Sequence, residues 1–397
     1  MNQRIYAMAG TTSAVRQMFE EGAKLKARYG PENVYDFSIG NPYFPAPDCV
    51  KEAIIDILNT VDPITVHGYM SNDGFPQVRA AVADYINKTY GDHLTGDHIM
   101  MTVGAAGGLN ACLMALLNPG DEVLVPAPYF LEYGNYVENY GGVIVPVPSK
   151  EEEGFLPDLP AIAAAITPKT KAIILNNPNN PTGVIYPAGV IEALSDLLEK
   201  KQEELGTSIY LISDEPYRQL AYDGLEVAYL PRYYRNTIVA YSWSKTLSLP
   251  GERIGYLEIP PRIDDYEHIR SGMSICARIL GFVNAPSLMQ LAVARCLDAS
   301  CDVAAYDGNR KLLYGGLTSL GYTCLKPQGA FYLWLKSPVP DEYDFIAEAK
   351  KYNILMVPGS SFKCPGYVRV AYCVSPETIK QSMTGFAKVA EHYGLTP

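Results

Sequence analysis

The sequence has little of what marks several common classes of binding protein. None of its five histidines lies in a His-Glu-x-x-His pattern, and its eight cysteines include no Cys-x-x-Cys pair, so we expect neither a metal site nor disulfides. The 43 acidic residues outnumber the 32 basic ones and give a net charge of −11. This balance argues against a nucleic-acid-binding surface, because phosphate backbones need a basic stripe. No apolar run approaches the ~20 residues of a membrane-spanning helix.

The composition is that of a globular protein, with 48% hydrophobic and 19% charged residues in a chain of 397. That length is enough for two domains of ordinary size. Met1 to Gly10 lacks the basic start and the long apolar core of a signal peptide. Several cysteines lie in apolar runs, as buried thiols of a reducing compartment do. We therefore expect a cytoplasmic protein.

Strands and helices alternate along the middle of the chain. The predicted strands are Ile99–Val103, Glu122–Pro126, Val143–Val147, Lys171–Leu175, Ser208–Ser213, Asn236–Tyr241 and Arg253–Ile259. Predicted helices lie between several of them, over Gly107–Leu117, Pro187–Lys201 and a short piece near Phe130–Tyr140. Such alternation predicts an α/β fold with a mostly parallel seven-stranded sheet that has helices on both faces.

The two ends of the chain have a different pattern. Thr12 to Tyr29 has the apolar spacing of an amphipathic helix, and Pro286 to Leu320 reads as one long helical stretch. Ser375 precedes a proline and a glutamate, which predicts the cap of a last helix. We expect both ends to form one smaller α+β domain. The predicted division is a large domain of residues 46–285 and a small domain of residues 1–45 and 286–397.

A lysine follows the predicted strand Asn236–Tyr241, at the place where open α/β sheets bind ligands. Lys245 can condense with an aldehyde, and partial burial would lower its pKa and improve it as a nucleophile. Ser242 and Arg253 offer a hydroxyl and a planar guanidinium, which suit a phosphate. An aldehyde and a phosphate on one small molecule suggest pyridoxal 5′-phosphate (PLP).

Two neighbouring strand ends carry polar residues of matching chemistry. Asp214 closes a mostly apolar strand, and a PLP ring nitrogen needs such an anionic partner to stay protonated, although a turn or capping aspartate is the commoner use. Tyr217 could donate to the ring hydroxyl. The turn Asn176 to Gly183 contains two Asn-Pro pairs, and its length favours a second ring contact from Asn180 over a simple tight turn.

Three weaker signals lie nearby. Gly104 to Gly108 opens a helix with small residues, which lets a phosphate approach backbone N–H groups but is also common for packing reasons. Tyr129 could stack on an aromatic cofactor, although an isolated aromatic is more often in the core. Arg369 lies in an alternating strand, where it either faces solvent or binds a carboxylate through two parallel hydrogen bonds.

In combination, the lysine motif, Asn-Pro-Thr-Gly and Asp-Glu-x-Tyr resemble those of the fold type I PLP-dependent aminotransferases of class I/II, related to aspartate aminotransferase. The resemblance runs from Gly40 to Arg369 in the family's order. It implies that Lys245 holds PLP as a Schiff base and relays a proton. It further implies that Asp214 pairs with the ring nitrogen, that Tyr217 and Asn180 contact the ring hydroxyl, that Tyr129 stacks on the ring, that Ala105, Ala106, Ser242, Ser244 and Arg253 hold the phosphate, and that Arg369, Asn180 and Gly40 bind the substrate carboxylate.

The resemblance also implies a homodimer. Tyr69 matches the tyrosine that reaches the partner's phosphate, and Asn284 is a second candidate at the interface and substrate site. One departure concerns the phosphate loop, because Gly104 to Gly107 has no hydroxyl side chain, so binding there would depend on backbone N–H groups.

The function that these motifs imply is amino-group transfer between an amino acid and a 2-oxo acid in a ping-pong cycle. A β-carbon–sulfur lyase, a decarboxylase or a cyclopropane-forming synthase would share the same motifs. A non-catalytic PLP-binding regulator is disfavoured, because only some forty residues precede Gly40 and the charge is acidic. A dinucleotide-binding domain is disfavoured because Gly104 to Gly107 does not fit the Gly-x-Gly-x-x-Gly fingerprint.

Overall fold

The computed structural model describes residues 1, 3–10 and 14–396. This part of the chain forms fifteen α-helices and thirteen strands. The helices are α1 (Gln3–Gly10), α2 (Ala14–Tyr29), α3 (Asp48–Thr60), α4 (Pro63–His67), α5 (Pro76–Tyr90), α6 (Gly104–Leu116), α7 (Glu132–Asn139), α8 (Leu159–Ala165), α9 (Ala188–Leu205), α10 (Trp243–Thr246), α11 (Tyr266–Ile279), α12 (Ser287–Ala294), α13 (Val303–Ser319), α14 (Glu342–Lys350) and α15 (Pro376–His392). The strands are β1 (Tyr35–Asp36), β2 (Ile99–Thr102), β3 (Glu122–Ala127), β4 (Val143–Pro148), β5 (Thr170–Asn176), β6 (Tyr210–Asp214), β7 (Thr237–Ser242), β8 (Gly255–Glu258), β9 (Cys324–Leu325), β10 (Tyr332–Lys336), β11 (Ile354–Leu355), β12 (Val357–Pro358) and β13 (Tyr367–Ala371).

The main sheet has seven strands in the order β2-β8-β7-β6-β5-β3-β4. Strand β8 runs antiparallel to both of its neighbours, and the pairs from β7 to β4 are parallel. All seven predicted strands are therefore present, and the mostly parallel sheet is confirmed. Parallel strands are buried on both faces, which explains why β5, β6 and β7 are apolar almost throughout.

Helices cover both faces of this sheet. Ile174, Ile212 and Ile238 belong to one apolar cluster, which includes residues of α6, α7 and α11. The alternate residues Ile173 and Leu211 face the other side, in a cluster with residues of α8 and α9. Burial of these side chains stabilises the sheet by about 25 cal/mol per Å² of apolar surface removed from water, and it fixes the strand ends on which the site is built.

A smaller α+β unit combines segments from both ends of the chain. Strands β12, β13, β10 and β9 form an antiparallel sheet in that order, and β1 pairs in parallel with β11. Phe37, beside β1, lies in one apolar cluster with Phe331 of the loop before β10 and with Phe386 of α15. The cap predicted at Ser375 is present, since its side chain accepts from the backbone N–H of Thr378.

The single long helix predicted over residues 286–320 is wrong. The chain forms α12 and α13 there, and residues 295–302 between them include the turn around Cys296 and Ala299. Helix α12 packs on α3, and Met289 belongs to an apolar cluster with Val239 of β7. These contacts attach α12 to the part of the chain that forms the main sheet, and the domain boundary at residue 285 stays a prediction.

The amphipathic helix predicted from Thr12 is described from Ala14 onwards as α2, and Thr12 lies outside the described residues. Met18 packs with Val34 and Leu355, and Leu25 lies against the same small cluster. The helix is thereby attached to both β11 and the segment before β1. Across the ranges that the structure describes, no helix is both long and apolar enough to span a bilayer.

Candidate active site

One cavity of about 660 Å³ lies at the carboxyl ends of the parallel strands. Strands β5, β6 and β7 are adjacent, so their ends bring Asn180, Asp214 and Lys245 to the same edge of the sheet. The N-terminus of α6 closes one side of the cavity. Arg369 of β13 reaches it from the smaller unit, so the cavity lies between the two parts of the protein.

Lys245 lies in the cavity wall with its ammonium group held in place. Its Nζ donates a hydrogen bond of 2.5 Å to the backbone oxygen of Gly40, and it lies 5.4 Å from the ring centre of Phe331. Burial lowers the pKa of Lys245 from 10.5 to about 8, and the charges of Arg369 and Arg253 act in the same direction. A substantial fraction of this amine is therefore neutral near pH 8, which makes it a nucleophile.

Asp214 is buried and only half satisfied. Tyr133 donates a 2.5 Å hydrogen bond to its Oδ2, whereas Oδ1 has no partner in the described part of the chain. Burial raises the pKa of Asp214 from 3.8 to about 7, and the hydrogen bond from Tyr133 opposes that rise. A buried oxygen without a donor costs free energy, so this site is suited to a cationic N–H group on a ligand.

Arg369 is buried and oriented by three parts of the chain. Its Nη1 donates to Oδ1 of Asn180 at 3.0 Å and its Nη2 to the backbone oxygen of Ser38 at 2.7 Å. The guanidinium lies over the rings of Tyr332 and Phe362, at 4.5 and 4.9 Å. No carboxylate among the described residues pairs with it, and a carboxylate ligand would supply that missing charge.

Tyr217 lies beside Arg369 in the same wall. Its hydroxyl and that of Tyr332 are 2.9 Å apart, and burial keeps the pKa of Tyr217 well above its usual value. The phenol therefore stays protonated and can donate to an oxygen in the cavity. A Cβ at Gly40 would overlap the Tyr332 hydroxyl, so glycine lets the backbone come close to this pair.

Arg253 faces the opening of α6. It is exposed, and its Nη1 donates to the backbone oxygen of Pro250 at 2.9 Å. None of the ion pairs within the described ranges includes Arg253. Gly104 has φ +67°, and a Cβ there would lie 3.1 Å from the guanidinium. Ala105, Ala106, Ser242 and Ser244 line the same end of the cavity. Free N–H groups of a helix start, two hydroxyls and one arginine make this end suitable for a phosphate.

Most of the sequence-predicted site residues are thus brought together in one cavity. They are Gly40, Ala105, Ala106, Asn180, Asp214, Tyr217, Ser242, Ser244, Lys245, Arg253 and Arg369. Tyr69 is not among them, because it lies on the loop after α4 with 93% of its surface exposed. Asn284 lies beside a separate small cavity, where its amide donates to the backbone oxygen of Ala285.

The placement of Tyr129 corrects the prediction that it stacks on a ring in the site. The chain turns after β3 so that Tyr129 points into the core, where its ring lies 6.2 Å from that of Tyr133 and is 2% exposed. The next residue, Phe130, lines the cavity instead. The backbone N–H of Tyr129 also donates to the backbone oxygen of Phe362, and this hydrogen bond fixes the direction of the chain at Tyr129.

Several lining residues gave no signal in the sequence. Tyr136 and Glu132 lie on the short helix α7, and Tyr332 and Phe362 come from the smaller unit. Tyr133 of the same helix also gave no signal; it is buried and donates to Asp214. Their positions depend on how α7 and the small sheet pack, which no local motif records. Within the described ranges, no group of three or more His, Cys, Asp or Glu side chains lies close enough to hold a metal ion.

Comparison with known proteins gives the family. Residues 32–386 match the family Aminotransferase class I and II. The chain is a class I/II aminotransferase. Its relatives include the aspartate/prephenate aminotransferase of Thermus thermophilus, 34% identical over 92% of this chain and 93% of the relative. The aromatic-amino-acid aminotransferase 2 of Thermococcus litoralis is 30% identical over 96% of this chain and 97% of that protein.

Solved structures give the same result for the fold. An amino transferase structure from Eubacterium rectale superposes with a TM-score of 0.96 at 45% identity, and the match covers 99% of each chain. The aminotransferase described here moves an amino group between an amino acid and a 2-oxo acid, and its cofactor is PLP. The cavity fits that cofactor: among the residues that the structure describes, Oδ1 of Asp214 has no donor and Arg253 has no anionic partner, and Lys245 has a lowered pKa.

Proposed function

We propose that Lys245 is the residue that binds PLP covalently and that it serves as the acid and base of the transfer reaction. The observation that carries this proposal is that one cavity brings together Lys245, Oδ1 of Asp214 and Arg253, the last two without a partner in the described ranges of the chain. An aldehyde, a ring nitrogen and a phosphate are the three groups of PLP that these side chains suit.

The remaining residues have supporting roles in this proposal. When bound, PLP supplies the aldehyde that takes up the amino group and a ring that accepts electrons from the substrate's Cα. Asp214 keeps a proton on the ring nitrogen, and Tyr217 with Asn180 donates to the ring hydroxyl. Phe130 packs against the ring. Ala105, Ala106, Ser242, Ser244 and Arg253 hold the phosphate.

Substrate orientation falls to Arg369 in the same proposal. Asn180 and the backbone of Ser38 hold the guanidinium, so two of its N–H groups can bind the α-carboxylate without first becoming ordered. The neutral amine of Lys245 would then take the proton from Cα and pass it to the aldehyde carbon of the cofactor in the first half-reaction, and it would move a proton in the opposite direction in the second. The small distance from Nζ to the Gly40 oxygen gives the ammonium form a hydrogen-bond partner while it holds that proton.

Reduction of the holoenzyme with borohydride tests the assignment of Lys245. We expect mass spectrometry of the digested protein to place the cofactor on the peptide that contains Lys245, and Lys245→Ala to lose both this adduct and turnover. Lys200→Ala, which removes an exposed lysine of α9 that lies outside the cavity, is the matched control. An adduct on another lysine would contradict the proposal.

We further propose a homodimer in which Tyr69 contacts the partner's phosphate site. Tyr69 is 93% exposed, and Ile64 of the preceding helix α4 is 81% exposed. Helix α4 and the loop after it therefore present apolar surface that a second copy could cover. Asn72 fixes the loop by donating to the backbone of Val283 at 2.6 Å, next to Asn284. Sedimentation should give twice the mass of one chain, and Tyr69→Phe should weaken PLP binding; a monomer that keeps full PLP affinity would contradict this arrangement.

The cytoplasmic location stays a prediction.

A further inference from the structure

The charged side chains of the cavity are few, and four of them already have a role in the proposed function. Within the described part of the chain, the charged residues in the lining are Glu132, Asp214, Lys245, Arg253 and Arg369. Lys245, Arg253 and Arg369 meet the aldehyde, the phosphate and the α-carboxylate, and Asp214 meets the ring nitrogen. The carboxylate of Glu132 is the charge in this lining that the proposed function leaves without a role.

Glu132 has no cationic partner in the structure as described. It lies in the first turn of α7, where its Oε2 accepts a hydrogen bond of 2.9 Å from the side-chain amide of Asn135. Its charge also contributes to the raised pKa of the neighbouring Tyr136, after burial as the main cause. A carboxylate in this position repels a second carboxylate that enters the same cavity.

The cavity surface as a whole is mostly apolar. Ile39, Leu131 and Phe362 present aliphatic and aromatic surface to the cavity, and Phe130 precedes Glu132 in the same wall. Burial of an apolar side chain against such a surface is favourable, whereas a charged group would lose hydration there without a partner.

Two arginines of α11 could in principle have supplied a cation. Arg270 is committed elsewhere, because its guanidinium pairs with Asp73 at 2.8 Å and donates to the backbone oxygen of Asp97. Arg278 is exposed at the end of α11 and does not line the cavity. Neither of them reaches the substrate side chain within one subunit.

We propose that this aminotransferase selects substrates with an uncharged side chain, aromatic or aliphatic, and discriminates against a distal carboxylate. The inference rests on the proposed roles of Lys245, Arg253 and Arg369. Several relatives are named for aspartate, whose side chain carries a carboxylate. The inferred preference of this protein differs from the one that those names give. Specificity here would come from repulsion by Glu132 as well as from apolar contact.

Unreactive analogues with different distal charges test this inference on the holoenzyme, and succinate and succinamate among them are matched in size. Succinate, succinamate and 4-trimethylammoniobutanoate all offer Arg369 one carboxylate, and their distal ends are anionic, neutral and cationic. Each is titrated while the visible absorbance of the bound cofactor is followed, so that no turnover is needed. We expect succinamate to bind at least about tenfold more tightly than succinate, and 3-phenylpropanoate to bind more tightly still.

A variant of Glu132 isolates the source of the discrimination. Glu132→Gln should reduce the disadvantage of succinate by about three- to tenfold. Glu138→Gln, which removes the same charge from the same helix outside the cavity, should leave the ratio unchanged. As a second measure, kcat/KM of the holoenzyme for phenylalanine and leucine should exceed that for aspartate.

Several results would overturn the inference. Tighter binding of succinate than of succinamate would show that a cation meets the distal carboxylate, and loss of that preference in Arg278→Ala would place the cation on α11 of a second subunit. Tighter binding of the cationic analogue would make Glu132 a binding partner for basic side chains. A protein that shows no cofactor absorbance before any analogue is added would contradict the proposed cofactor site itself, and this inference with it.

Discussion

The Tyr133 hydroxyl donates to one carboxylate oxygen of Asp214, and the other oxygen has no donor in the part of the chain that the structure describes. Burial holds the pKa of Tyr133 well above its usual range, so the phenol remains a donor. The hydrogen bond favours the charged form of Asp214 and fixes the direction of its carboxylate. Tyr133 is therefore a positioning residue for the group that we assign to the cofactor's ring nitrogen.

Tyr133→Phe should weaken PLP binding without preventing its covalent attachment. The change removes a hydrogen bond to a charged group, worth about 1.5–3 kcal/mol, and lets the pKa of Asp214 rise further. We expect the dissociation constant of PLP from the apoprotein to increase by about ten- to a hundredfold. Fluorescence titration of the apoprotein with PLP measures this value.

Tyr234→Phe is the control for the loss of a buried hydroxyl. Tyr234 is 1% exposed and donates to the backbone oxygen of Ile209, away from the cavity. Its loss should cost stability but leave PLP affinity within a factor of about two. Equal affinities in the Tyr133 variant and the unaltered protein would show that Asp214 needs no support from α7.

The residues at strand ends were predictable from the sequence because the physical rule that places them is simple. An apolar strand that ends in Asp214 or leads into Lys245 must deliver that residue to the carboxyl edge of the sheet. Register between neighbouring parallel strands then brings the two close together, since β6 lies beside β7. The seven strands and the cluster of polar strand ends follow from this pattern.

Other features of the site and the fold depend on packing between elements, which the sequence does not show directly. Tyr129 and Phe130 are both aromatic, and the turn after β3 decides which of them faces the cavity. Residues 286–320 contain good helix formers, yet the chain breaks before α13, whose start is capped by Asp302. Asp302 is a local signal that could have revealed this break.

The pH dependence of PLP capture should report on Lys245. Its pKa is lowered to about 8, so the fraction of neutral amine rises tenfold per pH unit well below 8 and levels off above it. We expect the rate of PLP capture by the apoprotein, followed by stopped-flow absorbance, to have its inflection near pH 8. An inflection near 10, as for an ordinary lysine, would mean that the apoprotein site is open to water.

Arg369→Lys should reduce the use of every amino acid substrate while PLP stays bound. Lysine keeps the charge but cannot form two parallel hydrogen bonds to a carboxylate, nor reach Asn180 and Ser38 together. We expect kcat/KM to fall by about 30- to 1000-fold, mostly through KM. The visible spectrum of the holoenzyme should remain unchanged.

Arg235→Lys controls for the general effect of this replacement. Arg235 is an exposed arginine that pairs with Glu199 and Asp264 on the surface, and surface pairs contribute little. The kcat/KM of the Arg235→Lys variant should stay within a factor of about two of the value for the unaltered enzyme. If Arg369→Lys behaves in the same way, another residue binds the α-carboxylate.

Asp214 should also make the apoprotein less stable as the pH rises. Its pKa in the folded protein is raised from 3.8 to about 7, so folding favours the protonated form. The stability is therefore complete below pH 4, falls as the pH rises from 4 to 7, and reaches its lower level above 7. Asp214→Asn resembles the protonated form at every pH and removes this dependence.

We expect the free energy of unfolding of the variant's apoprotein to exceed that of the unaltered apoprotein by an amount that grows from near zero at pH 4 to about 4 kcal/mol at pH 7, measured by urea unfolding. With PLP present the order should reverse, because the ring nitrogen then pairs with the Asp214 carboxylate and the asparagine cannot. If the variant and the unaltered protein were equally stable at pH 4 and at pH 7, with and without PLP, Asp214 would be ionised in the apoprotein at pH 7 and would have no role in holding the cofactor.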